Sequence, residues 1–284
     1  LESAFKMQQS NFLNKYKFLL IGTAVLWSTG GVLIKSVDWN PLAIAGSRSL
    51  IAALFITVIM GRPRWKHSKI QWAAAIAYAL TVLSFVLATR MTTAANAVLL
   101  QFTAPVYVAL LGVWFLGERA TRVDWVFIVL VISGMVFFFL DQLSLQSLMG
   151  NWIGIFSGLA FGSFIVAMRK ARNHDPLAAI WMGNILAGLC AIPAFFHSAP
   201  GAGSWTILLV LGVFQLALPC YLYTKVVKHV TALDTVFILL IEPILNPVWV
   251  FMVLGEVPGM WALVGGVWVL AAITLRGVLK ARAT

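Results

Sequence analysis

The chain carries one kind of segment twice, as ANAVLLQFTAPVYVALLGVWFLGE at residues 95–118 and as LDTVFILLIEPILNPVWVFMVLGE at residues 233–256. With an offset of 138 positions, Pro105 falls on Pro243 and the first Leu-Gly-Glu falls on the second. Arginines follow only the first copy, which continues RATR where the second continues VPGM. The spacing predicts two related halves, and the difference in charge after each copy indicates that they end in different surroundings.

The composition places both halves in a membrane. Of the 284 residues, 61% are hydrophobic and only 10% are charged, more apolar surface than a soluble domain can bury. A bilayer-spanning helix needs about 20 apolar residues, and such runs recur along nearly the whole chain. We therefore predict an all-α polytopic membrane protein with ten transmembrane helices, at 18–37, 41–60, 70–89, 92–116, 123–140, 151–168, 177–196, 206–224, 232–254 and 260–279.

The net charge of +11 reports orientation and does not indicate nucleic acid as a partner, because the Lys and Arg residues lie in short loops between predicted spans. With a cytoplasmic N-terminus, 17 of the 20 fall on the cytoplasmic side. Lys35 and Arg90 fall outside, and Arg48 lies within a span. This distribution predicts a multi-pass protein with both termini in the cytoplasm.

An odd number of spans in each half makes the repeat an inverted one. Five spans per half carry the chain across the membrane, so the second half enters from the opposite side. We predict an N-terminal tail at 1–17, in which 1–6 is an extension that precedes Met7, a first repeat at 18–140 and a second, inverted repeat at 151–280. Inverted halves around a central site are a device of transporters that work by alternating access.

Several motifs then carry a resemblance to a known family. They are Trp27-Ser28 through Lys35, Arg48 after Pro41, Pro105 through LGER, and Glu242-Pro243 through the second LGE. Over 18–280 the chain resembles the drug/metabolite transporter superfamily of the EamA type, and within it most resembles the YddG-type exporters of aromatic amino acids. The resemblance implies a ten-helix bundle in a bacterial inner membrane that exports small metabolites, with aromatic or hydrophobic amino acids as the expected cargo.

Glu242 lies near the centre of a predicted span, where a charge costs at least about 2.5–3.5 kcal/mol unless it faces a cavity or a partner. Thr235, Asn246 and Trp249 share its helix face. We predict that this stripe lines the substrate pathway, with Glu242 contacting an ammonium group or exchanging a proton. The alternative is that Glu242 only satisfies backbone groups freed by the neighbouring prolines.

Arg48 is the second charge predicted within a span. Its fork of donors could bind a substrate carboxylate. Equally, Arg48 could pair with Glu242 or with a loop acid and hold helices together. We include Arg48 among the candidates for the substrate pathway, with the structural interpretation as the alternative.

The remaining pathway candidates are polar or aromatic residues within spans: Trp27, Tyr78, Asn96, Tyr107 and Trp181. Interhelical hydrogen bonds and packing explain them about as well as substrate contact does. Prolines within spans are hinge candidates, or alternatively static kinks: Pro105, Pro219, Pro243 and Pro247. Glycines at every fourth position from 150 to 162 predict close packing of another helix.

No motif indicates an enzyme, and we expect no cofactor and no metal. The four histidines are scattered, and Cys190 and Cys220 lie in apolar runs as expected for core residues. No Walker-type loop is present, which favours a secondary transporter. The expected partners are a small-molecule substrate and membrane lipids. The alternatives are a multidrug or nucleobase exporter and, from another class, a channel or a membrane structural subunit.

Overall fold

The computed structural model describes residues 2–61, 68–139, 145–196, 199–255, 257 and 259–283, and within these ranges the chain is helical with no strand. A π-helical segment at Leu211–Ala217 lies between the eleventh and twelfth α-helices. The α-helices are α1 (Glu2–Ser28), α2 (Gly30–Lys35), α3 (Pro41–Met60), α4 (Lys69–Met91), α5 (Ala94–Gln101), α6 (Ala104–Leu116), α7 (Arg122–Phe139), α8 (Leu145–Lys170), α9 (Pro176–Cys190), α10 (Ile192–Phe195), α11 (Ala202–Val210), α12 (Leu218–Val226), α13 (Ala232–Leu239), α14 (Ile241–Leu254) and α15 (Met260–Ala283).

Seven helical runs among the described residues are long and apolar enough to cross a membrane, some of them built from two or three successive helices. They are Asn14–Lys35, Pro41–Ile59, Lys69–Met91, Ala94–Leu116, Leu148–Lys170, Ala202–Val226 and Ala232–Leu254. Shorter apolar helices lie at Pro176–Cys190 and Leu263–Arg276. The prediction of an all-helical, multi-pass membrane protein is confirmed, while ten spans in two inverted halves stay a prediction.

The two copies of the repeated segment begin and end in the same way. The Thr93 hydroxyl accepts the backbone N–H of Asn96 at the start of α5, and the Thr231 hydroxyl accepts that of Asp234 at the start of α13. Both copies end at a glycine in the left-handed conformation, Gly117 with φ 70° and Gly255 with φ 68°. A side chain there would clash with the backbone, so Gly is the residue that stops the helix.

Both copies are also interrupted at matching points, between α5 and α6 and between α13 and α14. Each interruption falls just before a proline, Pro105 or Pro243, which lacks the N–H that a continuous helix needs. Pro219 follows the π-helical segment, and its carbonyl oxygen accepts a 3.4 Å hydrogen bond from the Thr23 hydroxyl. Pro247 lies inside α14. Three of the four predicted hinge prolines, Pro105, Pro219 and Pro243, therefore lie next to an irregular stretch of helix. Their role as hinges stays a prediction.

The two copies run in opposite directions in the folded chain. Just after α6, the Glu118 Oε2 accepts a 3.0 Å hydrogen bond from the N–H of Ala232, which starts α13. At the other end, Ala94 at the start of α5 packs with Val250 near the end of α14. The end of each copy therefore lies beside the start of the other.

Contacts between helices of the first and second parts of the chain occur in corresponding pairs. Helix α4 packs on α8, and α1 packs on α12. Helix α4 also packs on α9, as α3 packs on the π-helical segment, while α7 packs on α15 and α3 on α9. When the predicted spans of the first half are matched in order with those of the second, the α4–α8 contact corresponds to the α1–α12 contact. The α4–α9 contact likewise corresponds to the contact of α3 with the π-helical segment. The α7–α15 and α3–α9 contacts each correspond to themselves.

The glycine stripe of α8 lets this helix lie directly against the interrupted α5–α6 copy. A Cβ atom on Gly158 would lie 2.8 Å from the Gln101 carbonyl oxygen and would overlap the Thr103 hydroxyl. A Cβ on Gly154 would lie 2.9 Å from the Cβ of Leu100. The stripe therefore packs against another helix, as its spacing predicts.

Candidate functional site

A cavity lies where the interior faces of several helices meet. Its free space is about 450 Å³ with its opening included, and about 50 Å³ of it is open to water-sized molecules. Its lining consists of five aromatic residues, three polar ones, two aliphatic ones and two charged ones: Trp27, Tyr78, Phe85, Phe161, Phe164, Thr81, Gln101, Gln215, Val82, Leu216, Arg48 and Glu242. Four of the predicted pathway residues, Trp27, Arg48, Tyr78 and Glu242, are thus brought together.

The two charged residues of this cavity do not neutralise each other by contact. Arg48 is 2% exposed and Glu242 is 4% exposed, yet no ion pair joins them in the described part of the chain. A buried charge without a counter-charge in contact is costly, particularly in a membrane. The cavity therefore contains a guanidinium group and a carboxyl group that are not bonded to each other, and a polar guest can reach both.

Arg48 is held by one hydrogen bond and keeps another donor free. Its Nη1 donates to the Oε1 of Gln215 over 2.9 Å, while its buried Nε has no partner among the described residues. Asn40 caps the start of α3, with Pro41 in its first turn, and so fixes the helix on which Arg48 lies. A Cβ on Gly212 would lie 2.9 Å from the Arg48 carbonyl oxygen, so glycine allows the π-helical segment to approach α3 closely.

The aromatic residues form one connected wall. The ring of Phe161 lies 5.9 Å from that of Trp27 in an edge-on arrangement and 6.4 Å from that of Phe164. The rings of Phe164 and Tyr78 are 5.2 Å apart. These centroid distances are typical of favourable aromatic pairs. A wall of this kind suits a guest with a flat apolar group, with the charged residues left to fix its orientation.

The hydroxyl of Tyr78 is used in packing at the edge of the cavity. It accepts a 3.2 Å hydrogen bond from the Nδ2 of Asn184 and lies 3.5 Å from the Sγ of Cys220. Tyr78 therefore presents its ring to the cavity more than its hydroxyl. Cys220 is buried as expected, but Cys190 is exposed, so the prediction that both cysteines are core residues is wrong for Cys190.

Asn246 and Trp249 contact the interruption between α1 and α2 and do not line the cavity. The Asn246 Nδ2 donates to the Ser28 carbonyl oxygen over 3.0 Å, and the Trp249 Nε1 donates to the Ser28 hydroxyl over 2.9 Å. Gly31 leaves room for Asn246, since a Cβ there would lie 2.5 Å from the Asn246 Oδ1. These side chains hold the first apolar run, which is interrupted between α1 and α2, against α14.

We expect Asn246→Ala to lower the free energy of unfolding by about 1–3 kcal/mol, because it leaves the buried Ser28 carbonyl oxygen without its donor. Thermal unfolding of the purified protein in detergent measures this change. Trp249→Phe, which removes the indole N–H that bonds the Ser28 hydroxyl and also makes the ring smaller, is the comparison variant and should cost less because Trp249 is only half-buried. An unchanged melting temperature for Asn246→Ala would show that the bond to Ser28 does not stabilise the fold.

The other four predicted pathway residues lie away from the cavity lining. Asn96 and Thr235 are buried, and Tyr107 packs beside Gly162, where an added Cβ would lie 2.9 Å from the Tyr107 Cβ. The Trp181 Nε1 donates to the Thr57 hydroxyl over 2.8 Å. In this conformation their contacts are those of packing, and their place on the pathway stays a prediction.

Glu118, the acid of the first Leu-Gly-Glu, ties one end of the molecule together. Its Oε1 accepts a 2.9 Å hydrogen bond from the Nε of Arg169, and its Oε2 accepts the N–H of Ala232. Arg169 also donates through Nη1 to the Val227 carbonyl oxygen over 2.8 Å. One carboxylate thus joins the end of α6 to two elements from the second part of the chain.

A second ion cluster lies at the same end. The Arg276 Nη2 is 2.6 Å from the Oδ1 of Asp124 and 3.3 Å from the Oδ1 of Asp234, and the guanidinium lies 3.7 Å over the ring of Phe237. A cavity of about 270 Å³ open to water-sized molecules lies between this cluster and Glu118. Among the described residues, no group of three or more acids, histidines or cysteines could hold a metal ion.

Three polar residues of the main cavity are not among those predicted from the sequence pattern: Thr81, Gln101 and Gln215. Gln101 is the last residue of α5, and its Nε2 donates to the Ser157 hydroxyl over 2.9 Å. Gln215 had one usable signal, since it is a polar amide in the middle of an apolar span four residues before Pro219.

Comparisons with known proteins relate this chain to membrane transporters. The sequence profile of the EamA-like transporter family matches residues 14–140 and 148–277. The chain is 27% identical over 256 residues to an uncharacterized transporter of Archaeoglobus fulgidus, which covers 90% of this chain and 94% of that protein. It is 26% identical over 185 residues to the pseudopaline exporter CntI of Pseudomonas aeruginosa, covering 63% of this chain and 64% of that protein, just under two thirds of its length.

One solved structure, titled only as the crystal structure of a protein, superposes with a TM-score of 0.75 at 15% sequence identity. The superposition covers 95% of this chain and 99% of the other. At this identity the likeness concerns the fold alone. It extends over nearly the whole chain, so both parts of the chain take part in it.

Proposed function

The chain belongs to the EamA-like transporter family, and from that premise we propose that it is a secondary transporter exporting small zwitterionic metabolites, with aromatic or hydrophobic amino acids as its substrates. Export proceeds by alternating access around the cavity that holds Arg48 and Glu242. The protein lies in a bacterial inner membrane with ten spans, in two inverted five-helix halves, and with both termini in the cytoplasm.

The inverted arrangement has support from the contacts of the repeated segment. The end of each copy lies beside the start of the other, as two halves that cross the membrane in opposite senses require. Residues that the charge distribution assigns to the cytoplasm, Arg169 and Arg276 among them, cluster at one end. Arg90, assigned to the outside, instead donates to the carbonyl oxygen of Val37 over 3.3 Å.

The Glu118 and Arg276 clusters join the two proposed halves at the proposed cytoplasmic end. Each contains a carboxylate from the first half and an arginine from the second. Alternating access requires the halves to separate at one end while they close at the other. We therefore assign these clusters to a cytoplasmic gate that is closed in this conformation.

The observation that carries the choice of substrate is the presence of one arginine and one glutamate in the same aromatic cavity without an ion pair between them. A zwitterion offers a carboxylate to Arg48 and an ammonium group to Glu242, and so compensates both buried charges at once. The aromatic wall then receives its apolar side chain. A purely anionic substrate would leave Glu242 repelling it, and a purely cationic one would leave Arg48 uncompensated.

Glu242 is also the proposed group for proton coupling, since it is the buried carboxylate that reaches the cavity. If it carries a proton in each cycle, net transport into proteoliposomes follows an imposed pH gradient. Glu242→Gln cannot exchange that proton, so we expect it to abolish the response to the gradient, while exchange of labelled for unlabelled substrate continues with a raised KM because the amide binds the ammonium group more weakly than a carboxylate does. A wild-type protein that ignores the gradient would instead be a facilitator, and Glu242 would have no coupling role.

Counterflow in proteoliposomes tests the proposed function. Vesicles containing the purified protein and unlabelled phenylalanine should accumulate labelled phenylalanine transiently, whereas vesicles without protein should not. Exchange of this kind distinguishes a carrier from a channel, which passes substrate without acceleration from the far side. A membrane structural subunit would move nothing and would co-purify with a partner.

A screen with other substrates separates the proposal from its alternatives within transport. The relation to a pseudopaline exporter makes pseudopaline a second candidate substrate. A multidrug or nucleobase exporter would accept compounds without a carboxylate as well as it accepts amino acids. Counterflow of these compounds without counterflow of phenylalanine, tryptophan or leucine would overturn the amino-acid proposal.

A further inference from the structure

Gln215 makes hydrogen bonds both to Arg48, the cationic residue of the cavity, and to the end of α1, where the first apolar run is interrupted. Its Oε1 accepts the Nη1 of Arg48 over 2.9 Å, and its Nε2 donates to the Trp27 carbonyl oxygen over 3.4 Å. It is 4% exposed and lines the cavity itself. One amide side chain thus makes both of its hydrogen bonds to groups that belong to two other helices.

The backbone around Gln215 is irregular in a way that serves these contacts. Gln215 lies in the π-helical segment, and such insertions into α-helices occur frequently at functional sites. Gly30 makes room for the Gln215 side chain, and Gly212 lets the π-helical segment lie close to α3. A Cβ on Gly30 would lie 2.7 Å from the Gln215 Nε2, and a Cβ on Gly212 would lie 2.4 Å or more from Ile51 and Arg48, in contacts too tight for a side chain.

The contact from Gln215 decides which edge of the guanidinium is left for a ligand. Arginine binds a carboxylate most strongly when two of its N–H groups point at the two oxygens. Gln215 occupies Nη1, and Nε, on the other side of the group, is without a partner among the described residues. The edge formed by Nε and Nη2 is therefore the one that can receive a carboxylate as a fork.

We propose that Gln215 is a positioning residue that holds the Nε–Nη2 edge of Arg48 ready for the carboxylate of the substrate. Through its second bond, to the carbonyl oxygen of Trp27, it ties this orientation to the point where α1 ends. Without the amide, Arg48 keeps its charge but loses the hydrogen bond that fixes its orientation, and a carboxylate then meets a less well aligned pair of donors. This inference rests on the proposed function, because it concerns how the same cavity recognises its substrate.

The test compares two probes of which only one carries a carboxylate, at a pH low enough for the ammonium group of both to be protonated. L-phenylalanine carries it, and L-phenylalanine methyl ester does not. In counterflow, the KM for phenylalanine and the concentration of the ester that half-inhibits exchange are measured for wild type, Gln215→Leu and Gln215→Asn. Gln215→Leu fills a similar volume without hydrogen bonds, and Gln215→Asn keeps the amide on a shorter side chain.

We expect Gln215→Leu to raise the KM for phenylalanine about 10-fold, which is the loss of roughly one hydrogen bond to a charged group, while the maximal rate and the inhibition by the ester change much less. Gln215→Asn should recover part of the lost affinity. An equal weakening for both probes would assign Gln215 a merely structural role and overturn the inference, as would an unchanged KM.

Two controls distinguish a failure of this inference from a failure of the proposed function and from misfolding of the variant. Absence of phenylalanine exchange in the wild-type protein would contradict the proposed function itself, before any variant is considered. Thermal unfolding and gel filtration in detergent show whether Gln215→Leu still folds. If it does not, the comparison of Gln215→Asn with wild type decides, since a shorter amide that leaves the ratio between the two probes unchanged would also overturn the inference.

Discussion

Arg48→Gln should lower the counterflow of phenylalanine at low substrate concentration by about 10- to 100-fold, the largest effect on counterflow that we expect from one substitution in the cavity. A hydrogen bond to a charged group contributes about 1.5–3 kcal/mol, and each 1.4 kcal/mol is a factor of ten in affinity. Glutamine can still donate to Gln215, so the fold keeps a partner for that amide. The measurement is the initial rate of labelled phenylalanine uptake into preloaded proteoliposomes.

Arg48→Lys is the matched control for charge. Lysine keeps the positive charge but lacks the planar fork, so we expect an intermediate loss for phenylalanine. The rival interpretation is that Arg48 and Glu242 serve mainly to stabilise each other. Recovery of wild-type rates in the double variant Arg48→Glu with Glu242→Arg would support that interpretation and contradict direct recognition of the substrate.

Gly158→Leu should produce the largest loss of stability. A Cβ atom alone would lie 2.8 Å from the Gln101 carbonyl oxygen and 2.9 Å from that of Leu100, and both are backbone atoms that cannot move aside like a side chain. Overpacking of this kind typically costs about 1–3 kcal/mol, and a leucine adds three more carbon atoms in the same direction. We expect the thermal unfolding temperature in detergent to fall by roughly 2–4 °C for each kcal/mol lost.

Gly266 provides the control for this prediction. It lies within α15, and a Cβ there would meet nothing within 4 Å. Gly266→Ala should therefore leave the unfolding temperature unchanged or raise it slightly, since alanine favours helix by about 1 kcal/mol over glycine. If Gly158→Leu unfolded at the same temperature as the wild type, α8 would not pack closely on the α5–α6 copy.

The repeat was the part of the fold most accessible from the sequence. Leu-Gly-Glu occurs twice because each copy ends at a left-handed glycine, Gly117 or Gly255, and such a position strongly selects one residue type. Pro105 and Pro243 likewise marked the interruptions, because proline removes a backbone donor wherever it stands. Local backbone requirements of this kind can be read from a single sequence.

The lining of the cavity was less accessible, since it depends on which helices meet. Arg48 and Glu242 could be selected because a charge in a span needs an explanation. Asn246 could not be separated from them by helical spacing, although it contacts the Ser28 carbonyl oxygen and does not reach the cavity. Gln215 faces the cavity from a π-helical segment, where the spacing of a regular α-helix assigns side chains to the wrong face.

The proposed transport mechanism depends most on the two halves crossing the membrane in opposite senses about the cavity. Single cysteines at Arg119 and Val257, two exposed positions just after the two Leu-Gly-Glu copies, test this in a protein whose Cys190 and Cys220 are replaced by Ala. A membrane-impermeant maleimide is applied to right-side-out and to inverted vesicles. We predict that position 257 is labelled from the outside and position 119 only from the cytoplasmic side. Labelling of both positions from one side would contradict the inverted halves and the carrier built on them.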